Sequence, residues 1–268
     1  MSTIRQLAVE SLTHLLESGQ QRLAVDDEAR SILRRWMIQA RSGGVPVPPP
    51  AVSAPSPAPE MSVEEKLALL RGKAENWKPA RRLGTLRDTM VFATGNPHAR
   101  LMLVGEAPGF DEERLGEPFV GKAGQLLNKI LTAMGFSREE VYISNVCKFR
   151  PDMGPNQGTA NRPPSAEEIA ACLPLILAEI RAIRPACIVC LGGSSAKALL
   201  SSDASVSSMR GRWLECQGVP VRVTYHPSYL LRNEALSARR SVWEDMLAAM
   251  EKLGMPISER QQRYFLPS

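Results

Sequence analysis

Three polar side chains that can do chemistry stand at the ends of short apolar runs of the sequence: Glu106, Asn145 and His226. A carboxylate, an amide and an imidazole that converge on one cleft form the kind of constellation that acid-base chemistry or the recognition of a base requires. We therefore predict that these three residues form one functional site. Other interpretations stay open, because a histidine after a strand can be purely structural and Glu106 can cap a helix.

Apolar runs alternate with amphipathic stretches after about residue 90, which predicts strands alternating with helices. We predict strands over residues 101–105, 141–145, 186–191 and 219–225, and helices over residues 122–134, 165–183, 194–200 and 236–253. Such alternation implies a largely parallel sheet with helices on both faces. Because ligands of these sheets bind outside the carboxyl ends of the strands, we expect the chemically active residues at that edge.

The composition divides the chain into three regions. Residues 1–41 carry apolar stripes at three- and four-residue spacing, which predicts a small helical extension that packs on the main domain, on a second copy or on a partner. Residues 42–60 contain seven prolines among small residues, which favours an extended linker. Ser62 and Glu65 match a capping box at the start of the main domain, residues 61–268.

The overall composition is that of an ordinary globular protein, with 44% hydrophobic and 23% charged residues. The formal net charge of +5 suits a polyanionic partner without requiring one. No run approaches the roughly 18 apolar residues of a membrane span, and five cysteines do not suggest a disulfide framework, so we expect a cytoplasmic protein. Cys187 and Cys190 have metal-ligand spacing but lie within an apolar run, where we predict buried core thiols.

Three motifs occur in order along the chain: GEAPG at residues 105–109, GEPFVGKAG at residues 116–124 and HPSYLLR at residues 226–232. Together they resemble motifs of the bacterial and archaeal family 4 uracil-DNA glycosylases, and the likeness extends over roughly residues 77–255. The resemblance implies a three-layer α/β/α sandwich around a central, largely parallel four-stranded sheet. It also implies a base excision repair enzyme that flips uracil out of DNA and hydrolyses its N-glycosidic bond, leaving an abasic site.

The same resemblance assigns roles to the matched residues. Phe119 is expected to stack on the flipped ring, Asn145 to hydrogen-bond the uracil edge, and His226 to stabilise charge on the uracil oxygen as the bond breaks. Glu106 is expected to favour the cationic sugar and to orient the attacking water. The residues expected to contact the substrate are Ala107, Glu112, Phe119 and Ser228, with Glu112 a second candidate for the catalytic carboxylate.

Further residues are expected to contact the DNA. Leu230, Leu231 and Arg232 follow the histidine at the place where these enzymes insert a wedge into the gap left by the flipped base. The alternative is that the two leucines anchor the next helix in the core. Gly192 and Ser194, at the start of a predicted helix, are expected to bind a phosphate through backbone amides.

Family 4 enzymes carry four cysteines for an iron-sulfur cluster, and this sequence departs from that pattern. Three of the positions correspond to Lys78, Arg81 and Phe149, and only Cys172 matches. Because four thiolates cannot be assembled from this set, we predict that the protein has no iron-sulfur cluster, no other cofactor and no metal. We expect packing by Trp77 and Phe149 to replace the structural role of the cluster.

Two functions of different classes agree with these observations. The first is a uracil-DNA glycosylase without a cluster, whose partner is uracil-containing DNA. The second is a non-catalytic or weakly active DNA-binding paralogue that recruits a repair or replication protein through the N-terminal helices. The intact set of pocket residues favours the enzyme, while excision of hypoxanthine or xanthine remains an open alternative to excision of uracil.

Overall fold

The computed structural model describes residues 61–266 together with residues 30, 31 and 34. The chain divides into two units, Met1–Pro59 and Glu60–Ser268, and every element numbered below belongs to the second. The helices predicted for residues 1–41 and the linker predicted for residues 42–60 lie outside the described residues, apart from residues 30, 31 and 34. The three-part division of the chain therefore remains a prediction. No helix of the described part is long and apolar enough to span a membrane.

Strands and helices alternate over most of the second unit. The strands are β1 (Leu86–Met90), β2 (Ala93–Gly95), β3 (Leu101–Gly105), β4 (Tyr142–Asn145), β5 (Phe149–Pro151), β6 (Cys187–Leu191), β7 (Trp213–Cys216) and β8 (Val219–Thr224). The α-helices are α1 (Val63–Glu75), α2 (Lys78–Arg81), α3 (Phe110–Leu115), α4 (Lys122–Met134), α5 (Ala166–Ile183), α6 (Gly193–Leu200), α7 (Val206–Met209), α8 (Pro227–Arg232), α9 (Leu236–Lys252) and α10 (Glu259–Gln262). A single 3-10 turn, Arg138–Glu140, precedes β4 in the described part.

A six-stranded sheet in the order β2-β4-β3-β6-β8-β7 forms the centre of the unit. The strands β4, β3, β6 and β8 run parallel, whereas β2 and β7 pair antiparallel at the two edges. The predicted parallel sheet of four strands is confirmed as the core, and two edge strands extend it. These edge strands were not predicted because each is short and partly exposed, so neither contains a continuous apolar run. A separate antiparallel pair consists of β1 and β5.

Helices cover both faces of the sheet, because alternate residues of each strand point to opposite sides. In β6, Cys187 and Val189 face the layer made by α4 and α9, whereas Ile188 and Cys190 face the layer that contains α5 and α6. This arrangement confirms the three-layer α/β/α sandwich. Both thiols are buried, as predicted, and they cannot share a metal ion because they lie on opposite faces.

Local capping sets the bounds of the helices. Ser62 and Glu65 form the predicted capping box: Glu65 N–H donates to Ser62 Oγ over 3.1 Å, and Ser62 N–H donates to Glu65 Oε2 over 2.7 Å. Ser165 caps α5 in the same way, so the helix predicted from residue 165 begins one residue later. Helix α4 has the predicted bounds, and the residue that caps its C-terminus is Gly135, whose φ of +94° is left-handed.

Candidate active site

The carboxyl ends of the parallel strands bring Glu106, Asn145 and His226 to one edge of the sheet. Gly105 pairs with Asn145 in the β3–β4 register, so Glu106 directly follows the residue that is paired with Asn145. All three side chains line one cavity of about 450 Å³. Other residues singled out in the sequence line the same cavity: Ala107, Glu112, Phe119, Ser228 and Arg232.

Asn145 contributes a buried amide to this cavity. The residue is 2% exposed, and its Oδ1 has no hydrogen-bond partner among the described residues. A buried acceptor without a partner costs free energy, which a ligand that donates a hydrogen bond to it would recover. The surroundings are tight, since a side chain at Gly105 would collide with Asn145 Oδ1 and with the Phe119 ring.

Phe119 forms an aromatic wall of the cavity in a strained backbone conformation. Its φ of +57° lies in the left-handed region, which residues other than glycine seldom adopt. The ring is buried, and its centroid lies 5.7 Å from that of His226. Arg138 Nη1 donates to the Phe119 carbonyl over 3.2 Å, and a side chain at Gly124 would collide with the same carbonyl. These contacts hold the strained turn from which the ring enters the cavity.

Glu112 joins the two loops that flank α3. Its carboxylate accepts hydrogen bonds from the backbone N–H groups of Gly109, Val120 and Gly121, over 3.1, 3.0 and 2.9 Å. Both oxygens are therefore occupied by backbone donors, although the residue lines the cavity. Glu112 therefore braces the loop that carries Phe119, and its expected role as a substrate contact or second catalytic carboxylate remains a prediction.

His226 caps the N-terminus of α8. Its Nδ1 accepts a hydrogen bond from Ser228 N–H over 3.1 Å and lies 2.8 Å from Ser228 Oγ. Burial, and to a smaller extent the positive charge of Arg232, lowers the pKa of His226 to about 4. The imidazole is therefore neutral at pH 7, and because Nδ1 is an acceptor the proton is on Nε2. Ser228 orients this ring and also lines the cavity, so its expected contact with substrate remains a prediction.

Glu106 is a half-buried carboxylate directly after β3. Burial raises its pKa, and the hydroxyl of Ser194, which donates to Glu106 Oε1 over 2.9 Å, acts in the opposite direction. The Glu106 carbonyl accepts from Cys147 N–H over 3.0 Å, so both the backbone and the side chain of Glu106 are held. Ala107 lines the cavity beside it. A carboxylate held in this way can stabilise a cation that develops in the cavity.

The glycine and serine at the start of α6 make contacts that support the site. Gly192 N–H donates to the Thr224 carbonyl over 2.9 Å, so strand pairing already uses its amide. Its φ is +98°, and an added Cβ would lie 3.1 Å from His226 Cβ. The Ser194 hydroxyl is bound to Glu106. Gly192 therefore makes room for the imidazole and Ser194 holds the carboxylate. The Gly192 amide is already paired within the sheet, whereas phosphate binding by the Ser194 amide remains a prediction.

The segment after His226 is the helix α8, and it separates the two leucines. Leu230 is 7% exposed and belongs to the core that contains α4 and α9, whereas Leu231 is 45% exposed. Successive side chains of a helix point about 100° apart, so one leucine faces the core and the next faces solvent. The expectation is corrected for Leu230, which anchors the helix. Leu231 and the exposed Arg232 remain candidates for contact with DNA.

The sequence pattern of the uracil DNA glycosylase superfamily matches residues 92–247. The chain belongs to this superfamily. A type-4 uracil-DNA glycosylase of Thermotoga maritima is 44% identical over 164 residues, which cover 60% of this chain and 81% of that protein. A type-4 uracil-DNA glycosylase of Archaeoglobus fulgidus is 37% identical over 187 residues, which cover 67% of this chain and 87% of that protein. The crystal structure of wild-type Pedobacter heparinus SMUG2 matches at 16% identity and a TM-score of 0.42, over 59% of this chain and 76% of that chain.

In this member of the superfamily, the loop between β5 and α5 forms a wall of the cavity that was not predicted from the sequence. The loop residues that line the cavity are Asn161, Arg162, Pro163 and Pro164. Arg162 binds both oxygens of Glu168 over 2.7 and 2.8 Å, and Arg150 Nε donates to Asn161 Oδ1 over 2.9 Å. The Asn-Arg-Pro-Pro run directly before the Ser165 cap is the signal that could have indicated this wall.

A small core next to the cavity occupies the region where the uracil-DNA glycosylase resemblance implies a cluster. It consists of the buried residues Ala80, Cys147, Phe149 and Cys172 with Trp77 packed against them, and we call it the thiol–aromatic patch. The Arg81 guanidinium lies 4.2 Å from the centre of the Phe149 ring. A hydrogen bond with the Cys172 thiol, and then burial, raises the pKa of Cys147. Within the described part of the chain, no group of three or more His, Cys, Asp or Glu side chains could hold a metal ion.

Proposed function

We propose that this protein excises uracil from DNA by hydrolysing the N-glycosidic bond, which leaves an abasic site. The observation that carries the proposal is one cavity in which a buried Asn145 amide oxygen, without a partner among the described residues, accompanies a neutral His226. Uracil offers groups complementary to both, since its N3–H is a donor and its O4 and O2 are acceptors. The type-4 uracil-DNA glycosylases at 44% and 37% identity support the same substrate.

Uracil reaches these groups only after it has left the base stack. Extrusion costs a few kcal/mol, and the cost is smallest for a mispaired or single-stranded base. The flipped ring stacks on Phe119, whose backbone is held in its strained turn by Arg138. The Asn145 amide then selects uracil over cytosine, because the 4-amino group and N3 of cytosine present the reverse order of donor and acceptor.

Bond cleavage separates charge between the base and the sugar. As the bond from C1′ to N1 lengthens, its electron pair moves onto uracil and the sugar becomes cationic. His226 donates a hydrogen bond from Nε2 to the developing uracil anion, and its pKa of about 4 keeps it a neutral donor. The ionised Glu106 stabilises the cation and orients the water whose oxygen forms the new bond to C1′. The proton released by that water neutralises the uracil anion.

We also propose that this enzyme works without an iron-sulfur cluster. A four-thiolate cluster does not fit the residues at the corresponding positions, because Lys78, Arg81 and Phe149 offer no thiolate. The fourth position, Cys172, lies in the thiol–aromatic patch. The Arg81 guanidinium contacts the Phe149 ring and so joins α2 to β5. A cluster with ligands on both elements would join them in the same way.

DNA is the macromolecular partner in this proposal. The net charge of +5 favours association with a polyanion, and such binding weakens as salt rises. Arg232 lines the cavity and is exposed, so it can contact a phosphate beside the flipped nucleotide. The exposed Leu231 next to it is the residue of this segment that can fill the gap in the duplex.

Excision assays on the full-length protein test the proposed activity. Labelled oligonucleotides carry uracil in single strands, in U·G pairs and in U·A pairs, with hypoxanthine and xanthine substrates alongside, and alkali cleaves the abasic sites. We expect the wild type to release uracil, and Asn145→Ala and His226→Ala to slow release by about 10²–10³-fold. His98→Ala is the matched control, because the exposed His98 pairs with Glu64 on the surface and should leave the rate unchanged.

The outcomes separate the candidate functions. Binding of DNA without release of any base would overturn the enzyme and favour the non-catalytic DNA-binding paralogue. Release of hypoxanthine or xanthine without uracil would keep the enzyme class and change the substrate. Equal loss of rate in His98→Ala and His226→Ala would contradict the assignment of His226 to the site.

A further inference from the structure

An ion pair that is wholly buried lies next to Asn145 and is not part of the lining of the cavity. It joins Lys148, between β4 and β5, to Glu179 on α5, and both side chains are 0% exposed. Lys148 Nζ donates to the Asn145 carbonyl over 2.9 Å and to Ser144 Oγ over 2.6 Å. Glu179 Oε2 accepts from Ser144 Oγ over 2.7 Å and from the Tyr142 hydroxyl over 3.1 Å. The network therefore binds the final residues of β4, from which the Asn145 side chain enters the cavity.

Stability alone does not account for a buried pair of this kind. Removing two charges from water is costly, and apolar residues of similar volume often replace buried ion pairs without loss of stability. An apolar pair, however, could not donate a hydrogen bond to the Asn145 carbonyl. That donor matters because Asn145 Oδ1 has no partner among the described residues, so the position of the oxygen depends on its backbone and on packing.

We propose that Lys148 is a positioning residue for Asn145, and that Glu179 and Ser144 hold the Lys148 ammonium group against the Asn145 carbonyl. The proposal rests on the proposed role of Asn145 in uracil recognition. Lys148 does not touch the substrate and acts by fixing the end of β4. Misplacement of a substrate-positioning group by about 1 Å can slow a reaction by about 10²-fold, so a small shift of this strand end is sufficient for a measurable effect.

Removing both charges together separates positioning from folding. Lys148→Met alone leaves Glu179 as an unpaired buried charge, so we expect a lower Tm. Lys148→Met combined with Glu179→Gln removes both charges at similar volume, and we expect it to regain much of the lost Tm. We expect this double variant to excise uracil about 10- to 100-fold more slowly than wild type in single turnover, with a Kd for undamaged DNA within about twofold.

A thermodynamic cycle with Asn145→Ala identifies the route of the effect. If Lys148 acts through Asn145, the double replacement lowers the residual rate of Asn145→Ala by less than about threefold, since the group that it positions is absent. Full additivity of the two effects would overturn the proposal. Arg222→Met is the matched control, because it breaks the buried pair of Arg222 with Asp245. We expect this control to lower Tm while the excision rate stays within about threefold of wild type.

The remaining outcomes distinguish this proposal from the proposed function. A double variant that regains both the Tm and the rate of wild type would overturn the positioning role and leave the pair a structural one. A wild-type protein that releases no uracil would overturn the proposed function, and the positioning role with it. An active wild type together with an unimpaired double variant overturns the positioning role alone.

Discussion

Two regions of this molecule meet along the five residues from Asn145 to Phe149. Asn145 contributes its amide to the cavity, whereas Cys147 and Phe149 fill the thiol–aromatic patch. The cavity contains features that cost folding free energy. They are a buried acceptor without a partner among the described residues, a left-handed Phe119 and a histidine kept neutral by burial. The patch contains closely packed apolar side chains and two buried thiols.

This difference indicates which residues of a site can be replaced by other residue types without loss of their role. A catalytic group must present a given atom at a given place, so few substitutions preserve its function. A structural group must fill volume and join neighbouring elements, which the Phe149 ring beneath the Arg81 guanidinium does. We therefore expect opposite outcomes of substitution: loss of rate at nearly constant stability in the cavity, and loss of stability at nearly constant rate in the patch.

The largest expected effect is on stability and comes from Phe149→Ala. Phe149 is 0% exposed, so its truncation leaves a cavity and should lower the free energy of unfolding by about 3–5 kcal/mol. Denaturant unfolding measures this loss, and single-turnover excision well below the lowered Tm should stay within about threefold of wild type. Phe149→Leu is the control, with an expected cost below about 1.5 kcal/mol because the volume is nearly kept. A Phe149→Ala protein that stays folded but no longer excises uracil would contradict the purely structural role of the patch.

Glu106→Gln should have the opposite outcome. The amide keeps the size of the side chain but removes the charge that stabilises the sugar cation, so we expect the excision rate to fall by about 10²–10³-fold. Tm should stay constant or rise, because a partly buried charge is lost. Asp111→Asn serves as the control, since Asp111 is about half exposed and only forms a loose pair with Arg114. An unchanged rate in Glu106→Gln would remove this carboxylate from the mechanism.

The contrast between local and distant contacts explains how much of this structure the sequence could predict. The bounds of α4 and the Ser165 cap of α5 follow from periodicity and capping, which are properties of a few neighbouring residues. The bracing role of Glu112 was not predictable in this way, because its hydrogen bonds reach backbone groups eight and nine residues away. Leu230 and Leu231 were treated alike for a related reason, as only the packing of α8 decides which of them faces the core.

The chemically active residues follow the same rule. Strand ends in a parallel sheet converge by topology, so the positions of Glu106, Asn145 and His226 after apolar runs were sufficient to group them in one site. The groups that tune them could not be found in this way, because Ser194 reaches Glu106 across 88 residues of sequence and Lys148 pairs with Glu179 on another element. Sequence therefore predicts the side chains that converge on the cavity better than it predicts the residues that hold them.

A smaller effect, on pH dependence, is expected from Ser194→Ala. The proposed mechanism requires an ionised Glu106. Burial raises the pKa of this group, and the Ser194 hydroxyl opposes that shift. Loss of the hydroxyl raises the pKa further, so the acid limb of the rate profile should move to higher pH while the rate at pH 8 stays near wild type. His226 does not confuse the measurement above about pH 5, because its pKa is about 4. Ser195→Ala is the control, since that hydroxyl donates to the Gly192 carbonyl and should leave the limb in place.

The last prediction concerns the thiol–aromatic patch, and it is that removal of iron changes neither the Tm nor the excision rate. If side-chain packing has replaced the cluster, a strong iron chelator should alter neither the Tm nor the excision rate, and purified protein should contain substoichiometric iron. The triple variant Lys78→Cys, Arg81→Cys, Phe149→Cys sharpens the test, because with Cys172 it supplies four thiolates. We expect this variant to bind iron on anaerobic reconstitution and to become sensitive to the chelator. A wild-type protein that loses stability or activity with the chelator would contradict the replacement, since side-chain packing has no iron to lose.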